Sequence, residues 1–325
     1  MTYRNYSKIL LAGAALSLAA CGGGGSGGLN STPTPPPTPT PTPTPTPAPA
    51  GAWNDTSSSR TFSDIGEHAV YNRNLASTTV QANATLDGSD ALTIRYSAAD
   101  QAYFIDLPGF AEGKIQGDAT KPGFYQLVHP DSGAQLGISV RIGDGFAPPT
   151  VTTTYTQLGS WRADTVSGGT ETLAEGVFVF GSATPAGGVP ITGSATYAGY
   201  ASGHVDSAFV RTSENVITPY VVDGPVSMTV NFGSGALTGN MQLELGCGNC
   251  FETPLGPFNF SGALAAVGSS NFSATFTTNL TGANSLFGLF AGPQGQEAMG
   301  HFTVPFIDPN TEEQLQMFGA FLMKK

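Results

Sequence analysis

Residues 226–245, VSMTVNFGSGALTGNMQLEL, decide the fold of the second half of the chain. Apolar residues alternate with small polar ones from Val226 to Phe232, and the alternation resumes from Met241 to Leu245. A period of two puts the apolar side chains on one face of a half-buried strand, and a short glycine-containing loop between two such runs is typical of a β-hairpin. The loop here is Gly233–Gly235. These residues therefore predict two antiparallel strands.

The same alternation recurs on both sides of this hairpin. It is clearest at Phe258–Ser261 and Asn271–Thr277. Further candidate strands are Thr153–Arg162, Val177–Gly181, Ile191–Tyr200, Val205–Arg211, Ser285–Ala291, Ala298–Val304 and Leu315–Met323. Some eight to ten antiparallel strands separated by turn residues predict an all-β barrel or sandwich.

The first fifty residues predict a membrane anchor rather than part of this fold. Positive charges precede the short apolar run Ile9–Ala20, which is too short to span a bilayer and suits a secretory signal peptide over residues 1–20. The run ends in Leu-Ala-Ala-Cys21, which resembles the bacterial lipobox and implies cleavage before Cys21 and its acylation, palmitate included. A plain signal peptide with a chance cysteine is the alternative.

Residues 21–50 predict a tether between that anchor and the folded part. Gly22–Gly28 is typical of flexible coil, whereas Pro33–Pro49 alternates Thr with Pro and favours extended polyproline II. The second stretch reaches about 50 Å at roughly 3.1 Å per residue. Gly22 is uncharged, which resembles outer-membrane sorting. We expect an outer-membrane, surface-exposed lipoprotein, with a periplasmic one as the alternative.

Alternation alone does not separate a soluble barrel from a membrane-spanning one. Three features favour the soluble kind: the lipid anchor, polar strand faces made of Asn, Gln and Glu, and a chain that ends in Lys324-Lys325 rather than an aromatic residue. We therefore expect a soluble barrel over residues 150–325.

Residues 51–149 have a different composition, with more charge and with Pro-Gly turns at Pro108-Gly109 and Pro122-Gly123. They predict a small β-rich domain, in which Phe62–Asn74 holds a short helix. Pro148-Pro149 marks its predicted boundary with the barrel.

Charge excludes several partners. The net charge is −11, only 11% of residues are charged, and there is no Lys/Arg cluster. A nucleic-acid-binding protein carries a basic patch, so we expect no nucleic-acid partner.

Four segments carry a family resemblance. Thr192–Gly199 and Val230–Gly239 resemble early barrel strands of the transferrin-binding protein B family, Phe287–Phe302 resembles its most specific strand-turn-strand segment, and Phe318–Phe321 resembles its closing strand. The resemblance implies an eight-stranded barrel preceded by a handle domain, here as a single lobe where the classical receptors have two.

The resemblance also implies a role. It implies a non-enzymatic surface lipoprotein that binds an iron- or haem-carrying protein, or a related solute, through barrel and handle loops and passes it to an outer-membrane transporter. Transferrin itself is not expected, because the second lobe and the long charged loops of the classical receptors are missing. A structural or adhesive envelope protein without a small ligand is the alternative.

Cys247 and Cys250 are the only closely spaced thiols. In an oxidising compartment they predict a disulfide across the Gly-Asn turn. A redox pair favours a neighbouring helix N-terminus, and a zinc site needs two further ligands, and the sequence offers neither.

The chain has four histidines, His68, His129, His204 and His301. His204 and Asp206 share a strand face, but the motifs of hydrolases and metalloproteases are missing, so we expect no catalytic residues, no metal and no cofactor. Haem ligation by His or Tyr is the alternative that the family offers. We expect each histidine to be a solvated strand residue.

Overall fold

The computed structural model describes residues 51–85, 92–107, 112–117, 124–128, 137–142, 151–246 and 252–325. Every regular element in these ranges is a β-strand, which confirms the all-β prediction. No described helix has the length and apolar character needed to cross a bilayer. Residues 46–325 form one compact unit.

Ten strands form the first sheet. In chain order they are β1 (Arg60–Thr61), β2 (Ser63–Asn74), β3 (Gln81–Thr85), β4 (Thr93–Ser97), β5 (Ala102–Asp106), β6 (Gly113–Gly117), β7 (Phe124–Val128), β8 (Gly137–Ile142), β9 (Thr156–Ser167) and β10 (Thr170–Gly181). Their spatial order is β1-β4-β5-β6-β7-β8-β9-β10-β2-β3.

This sheet curls back on itself, because β1 and β2 are separated only by Phe62 and yet pair with opposite sides of the sheet. β1 pairs with β4, and β2 pairs with β10. At the break, Asp64 Oδ2 accepts a hydrogen bond from the backbone N–H of Ile94 at 3.0 Å. The curled sheet encloses its own core, in which Trp161, Phe178 and Phe180 are the largest side chains.

The predicted helix over Phe62–Asn74 is wrong. Residues 63–74 are the continuous strand β2, which pairs with all of β10. Ala69 and Tyr71 are fully buried and alternate with partly exposed Val70 and Asn72. That period of two places one face of β2 against other side chains, which a helix would not do.

Eight further strands form a closed antiparallel barrel. They are β11 (Ser194–Arg211), β12 (Val216–Asn231), β13 (Ala236–Gly246), β14 (Thr253–Leu264), β15 (Asn271–Phe276), β16 (Ser285–Ala291), β17 (Glu297–Ile307) and β18 (Gln314–Lys324). The predicted eight-stranded barrel is confirmed. β18 closes it by pairing with both β17 and β11.

The hairpin quoted first lies at β12 and β13, as predicted. Val226 to Phe232 and Met241 to Leu245 point their apolar residues into the barrel core. Asn231 Oδ1 accepts hydrogen bonds from the backbone N–H groups of Gly233 and Ser234, and Gly235 takes a positive φ of 75° that favours glycine. Such an Asx turn explains why the sequence signal was so clear.

The strands Thr156–Ser167 and Thr170–Gly181 lie in the ten-stranded sheet, although the sequence places them in the barrel domain from residue 150. β9 and β10 pair with each other over twelve residues, and β10 then pairs with β2. The barrel itself therefore begins at Ser194. Residues 143–150, which include the predicted boundary at Pro148-Pro149, lie outside the described residues.

The sheet packs against one side of the barrel. Leu158, Val177 and Val179 of the sheet form an apolar cluster with Met299, Ala320 and Leu322 of the barrel. A second cluster joins Tyr71 and Leu173 to Ile217 and Phe318. Most of β17 is consequently buried on both faces.

Candidate functional site

The seam between sheet and barrel is polar as well as apolar, and Arg73 is at its centre. The guanidinium of Arg73, on β2, forms a buried salt bridge with Glu171 on β10. It also donates two hydrogen bonds to Asn215, one of them 3.0 Å to Oδ1. Asn215 lies in the turn between β11 and β12, so this one side chain ties the sheet to a barrel turn.

Two more bonds hold the same region. The hydroxyl of Tyr71 donates to the carbonyl of Val205 at 2.8 Å, and Glu171 accepts from the backbone N–H of Ile217 at 3.3 Å. Buried hydrogen bonds of this kind fix one relative position of the two sheets, because leaving any partner unpaired is costly.

We call the end of the molecule at Arg73 and Asn215 the far end. Three tips project there: Leu75 after β2, the Gly168-Gly169 turn of β9 and β10, and the exposed turn Thr212–Asn215 of β11 and β12. Leu75 is 39% exposed, and Val166, just before the glycine turn, is 53% exposed. Exposed aliphatic side chains on rigidly supported tips are typical of a recognition surface.

We call the opposite end the near end, because the described chain begins there. The carboxylate of Glu297, at the start of β17, accepts hydrogen bonds from the backbone N–H groups of Thr154, Tyr155 and Thr156 and from the Thr156 hydroxyl. Trp53 N–H donates to Thr154 O at 2.9 Å. Twelve residues of β2 separate the two ends, which is roughly 40 Å at about 3.3 Å per residue.

Lys324 and Lys325 are also bound at the near end. Lys324 Nζ donates to Thr152 O at 2.8 Å, and Lys325 Nζ donates to Gln294 O at 3.1 Å. The Lys325 ammonium lies 5.6 Å from the ring centroid of Tyr197 and 5.5 Å from that of Phe232. Burial there lowers the pKa of Lys325.

The expectation that the histidines are solvated is wrong for His204 and His301. His301 is on the predicted outward face of its strand, but the sheet covers that face, so only 6% of the residue is exposed. Its Nδ1 lies 2.6 Å from Oε1 of Glu67 on β2. His204 is also buried, with Nε2 at 3.6 Å from Glu175 Oε1, and burial lowers its pKa.

His68 is partly buried with its ring 5.8 Å from that of Trp161. Asp206, which the sequence placed on one face with His204, accepts a hydrogen bond from the backbone N–H of Gln316 at 2.8 Å. The sequence gave no sign of these seam contacts, because each joins residues far apart in the chain.

Three carboxylates lie together on the outside of the barrel. Asp223 on β12 is directly opposite Glu244 on β13, and Glu252 is beside them. Burial raises the pKa of Asp223, and a hydrogen bond from Glu252 raises the pKa of Glu244. Within the described ranges, no group of three or more His, Cys, Asp or Glu side chains is placed to hold a metal ion.

A shallow cavity on the sheet is lined by Ser59–Thr61 and Arg95–Ser97. Both of its cations already have partners. Arg95 forms two hydrogen bonds of 2.6 Å with Glu112, and Arg60 donates to the carbonyls of Trp53 and Asp55. The cavity therefore offers no uncommitted charge to an anion.

Cys21, Cys247, Cys250 and His129 lie outside the described residues, as do Pro108-Gly109 and Pro122-Gly123. The predicted lipid anchor and the predicted disulfide stay predictions.

Comparisons with known proteins converge on the barrel. Residues 189–325 match the family model described as the C-lobe and N-lobe beta barrels of Tf-binding protein B. No curated protein matches the sequence.

Among solved structures, the chain is similar to transferrin-binding protein B from Haemophilus parasuis Hp5, at 13% identity over 80% of this chain and 44% of that one, with a TM-score of 0.39. Isotype 1 of the protein from serogroup B Neisseria meningitidis has 13% identity, coverages of 79% and 43% and a TM-score of 0.39. Intact Ap-TbpB, with N and C lobes, has 13% identity, coverages of 80% and 46% and the same TM-score. The chain spans less than half the length of each.

Proposed function

Because residues 189–325 are a β-barrel domain of the transferrin-binding protein B family, we propose that this chain is a non-enzymatic lipoprotein of the outer membrane that captures an extracellular ligand at its far end. The ligand class is an iron- or haem-carrying protein or a related solute. The captured ligand passes to an outer-membrane transporter.

The observation that carries this proposal is the joining of sheet and barrel at Arg73. Arg73, Glu171 and Asn215 hold the tips of both sheets in one arrangement, and the partners are buried. A surface that is already fixed loses little conformational entropy on binding, which favours recognition of a protein partner. Leu75 and Val166 supply apolar contact area on that surface.

The predicted anchor supports the same orientation. The chain enters the folded part at the near end, where Trp53 is bonded to Thr154. A lipid at Cys21 therefore tethers the near end and leaves the far end facing away from the membrane. Two or more acyl chains hold a protein on a membrane stably.

Binding by the full-length chain in detergent tests the function. The probes are transferrin with and without iron, haem, and a haem-carrying protein, measured as binding isotherms. We expect one of these probes to bind, and Val166→Glu to weaken that binding at least tenfold, about 1.4 kcal/mol.

Val267→Glu is the matched control, because Val267 is 51% exposed at the near end and Val166 is 53% exposed at the far end. Equal losses in both variants would reject the far end as the binding surface. Failure of every probe to bind would reject the ligand class and favour the structural envelope protein. Mass spectrometry of the N-terminal peptide, with Cys21→Ser as its control, tests the anchor separately.

A further inference from the structure

The loops at the near end of the barrel expose two large aliphatic side chains side by side. Ile191, just before β11, is 63% exposed, and Val267, in the turn between β14 and β15, is 51% exposed. A Cβ placed on Gly268 would lie 3.1 Å from Cγ2 of Ile191, so the two loops touch. Ala265 and Ala266 are exposed beside Val267. We call Ile191 and residues 265–267 the apolar tips.

Charge separates this end of the barrel from the other. The near-end loops 189–193, 232–235, 265–270 and 292–296 contain no Asp, Glu, Lys or Arg. The nearest charged side chains on the barrel strands are Lys324, the adjoining Lys325 and Glu297, whose carboxylate is buried by its bonds to residues 154–156. At the far end, by contrast, exposed carboxylates stand at Glu214, Glu312 and Glu313.

We propose that the apolar tips rest in the headgroup region of the membrane that carries the chain's own lipid anchor. This inference rests on the anchor at Cys21 that the proposed function includes, and it adds an orientation that the anchor alone does not fix. The partner is a lipid surface, not a second protein.

The entry point of the chain favours this occupant. The residues that precede Gly51 lead back to Cys21, and the Trp53–Thr154 bond sets their point of attachment at the near end. The glycine-rich stretch Gly22–Gly28 is a flexible joint, so the Thr-Pro spacer is free to lie along the surface. Tethering raises the effective concentration of the near end at the membrane, so weakly apolar tips are enough to hold it there.

Charge complementarity agrees with this orientation. Bacterial envelope lipids with anionic headgroups attract lysines and repel carboxylates. Lys324 and Lys325 are at the end proposed to face the lipid, and Glu214, Glu312 and Glu313 are at the end turned away. The opposite orientation would bring the carboxylates to the anionic surface.

Tryptophan quenching in vesicles tests the proposal on the full-length lipidated chain. The variants are Ile191→Trp, Val267→Trp and, as a matched control, Ile307→Trp, because Ile307 is 44% exposed at the far end of β17. The vesicles contain equal parts of phosphatidylglycerol and acyl-brominated phosphatidylcholine, with unbrominated vesicles as the reference. Emission is taken as the difference from the parent chain, which already contains Trp53 and Trp161.

We expect bromine to reduce the emission of Trp at 191 and at 267 about twofold, and to leave that at 307 unchanged, since the tips enter roughly 5–10 Å and the far end does not. Unfolding midpoints equal to that of the parent chain establish that each variant is folded. Vesicle flotation reports the anchor independently of quenching.

Flotation without quenching at 191 and 267 overturns the proposal and leaves the anchor and the binding function intact. Equal quenching at all three positions overturns it as well, since it means that no end is preferred. Concentration-dependent association of the chain through Ile191, without quenching, assigns the apolar tips to a second copy and also overturns it. A chain that does not float rejects the anchor and, with it, this orientation.

Discussion

His301 of the barrel and Glu67 of the sheet meet inside the seam, with 2.6 Å between Nδ1 and Oε1. They are 234 positions apart in the chain, and both are almost fully buried. The exposed ring of Phe287 stacks on the imidazole with its centroid 5.4 Å away. This contact therefore couples the barrel wall to the sheet at a point shielded from water on both sides.

Replacing His301 by Ala should destabilise the protein by about 1–3 kcal/mol, because a buried carboxylate then loses a partner. A double-mutant cycle with Glu67→Gln, followed by urea unfolding, should give a coupling energy well above the measurement error. Thr238→Ala, at an exposed barrel position, is the control and should change little. Additive effects of the two seam substitutions would mean that the pair does not interact.

Sequence reading gave the barrel because its strands alternate between a packed interior and a polar exterior. Val226–Phe232 and Asn271–Phe276 obey that rule, and both were predicted. It gave the covered side of the barrel poorly. Along β17 the outward His301 and Thr303 look solvated in sequence, yet the sheet buries them.

The partners across the seam lie beyond what local patterns report. Arg73 with Asn215, and Glu297 with residues 154–156, are separated by more than a hundred positions. Local alternation fixes which face of a strand is apolar, but it does not say which distant strand covers that face. Phe62–Asn74 was taken for a helix for the same reason, since its partner β10 begins at Thr170.

Glu297→Gln should cost about 2 kcal/mol, because the carboxylate accepts charge-assisted bonds from three backbone N–H groups and one hydroxyl. A neutral amide replaces one accepting oxygen by a donor, which then faces N–H groups. Glu313→Gln, an exposed change at the far end, should stay within about 0.5 kcal/mol. Equal unfolding midpoints for the two variants would exclude this role for Glu297.

Asp64 should make stability rise as the pH falls. Burial raises its pKa from 3.8 to about 6, so the folded protein takes up a proton between these values that the unfolded chain does not. Above pH 6 the full penalty of the buried charge is present. A shift of about two pKa units corresponds to about 3 kcal/mol, and partial exposure of the carboxyl reduces our expectation to about 1–2 kcal/mol.

Asp64→Asn keeps an oxygen that can accept the Ile94 N–H bond and removes the charge. We therefore expect it to be more stable than the parent at pH 7 and nearly equal to it at pH 4. Chemical unfolding at the two pH values measures this difference. A variant that is less stable at pH 7 would show that the charged form is preferred in the folded state.

His204 should act in the opposite direction. Burial lowers its pKa below the ordinary value of 6.5, so the unfolded chain binds a proton first as the pH falls through about 6.5. Stability contributed by the neutral imidazole is therefore full above that pH and declines below it. His204→Phe should remove this decline, and the difference between variant and parent should grow from pH 7 to pH 5. A constant difference over that range would exclude His204 as the titrating group.

Barrel closure should depend on Gly203, on the strand that pairs with β18. A Cβ at this position would lie 2.1 Å from the carbonyl oxygen of Phe318 and 2.8 Å from Cα of Gly319, so the backbone must move apart. We expect Gly203→Ala to destabilise the protein by about 3 kcal/mol, since packed cores absorb such overlaps poorly. Gly233→Ala is the control, because its nearest neighbour, Asn231 Oδ1, is 3.4 Å away. Thermal unfolding compares the two, and because closing strands support every barrel strand between them, Gly203→Ala should lower the midpoint without broadening the transition. If the two variants unfold at the same temperature, close contact between β11 and β18 is not what closes the barrel.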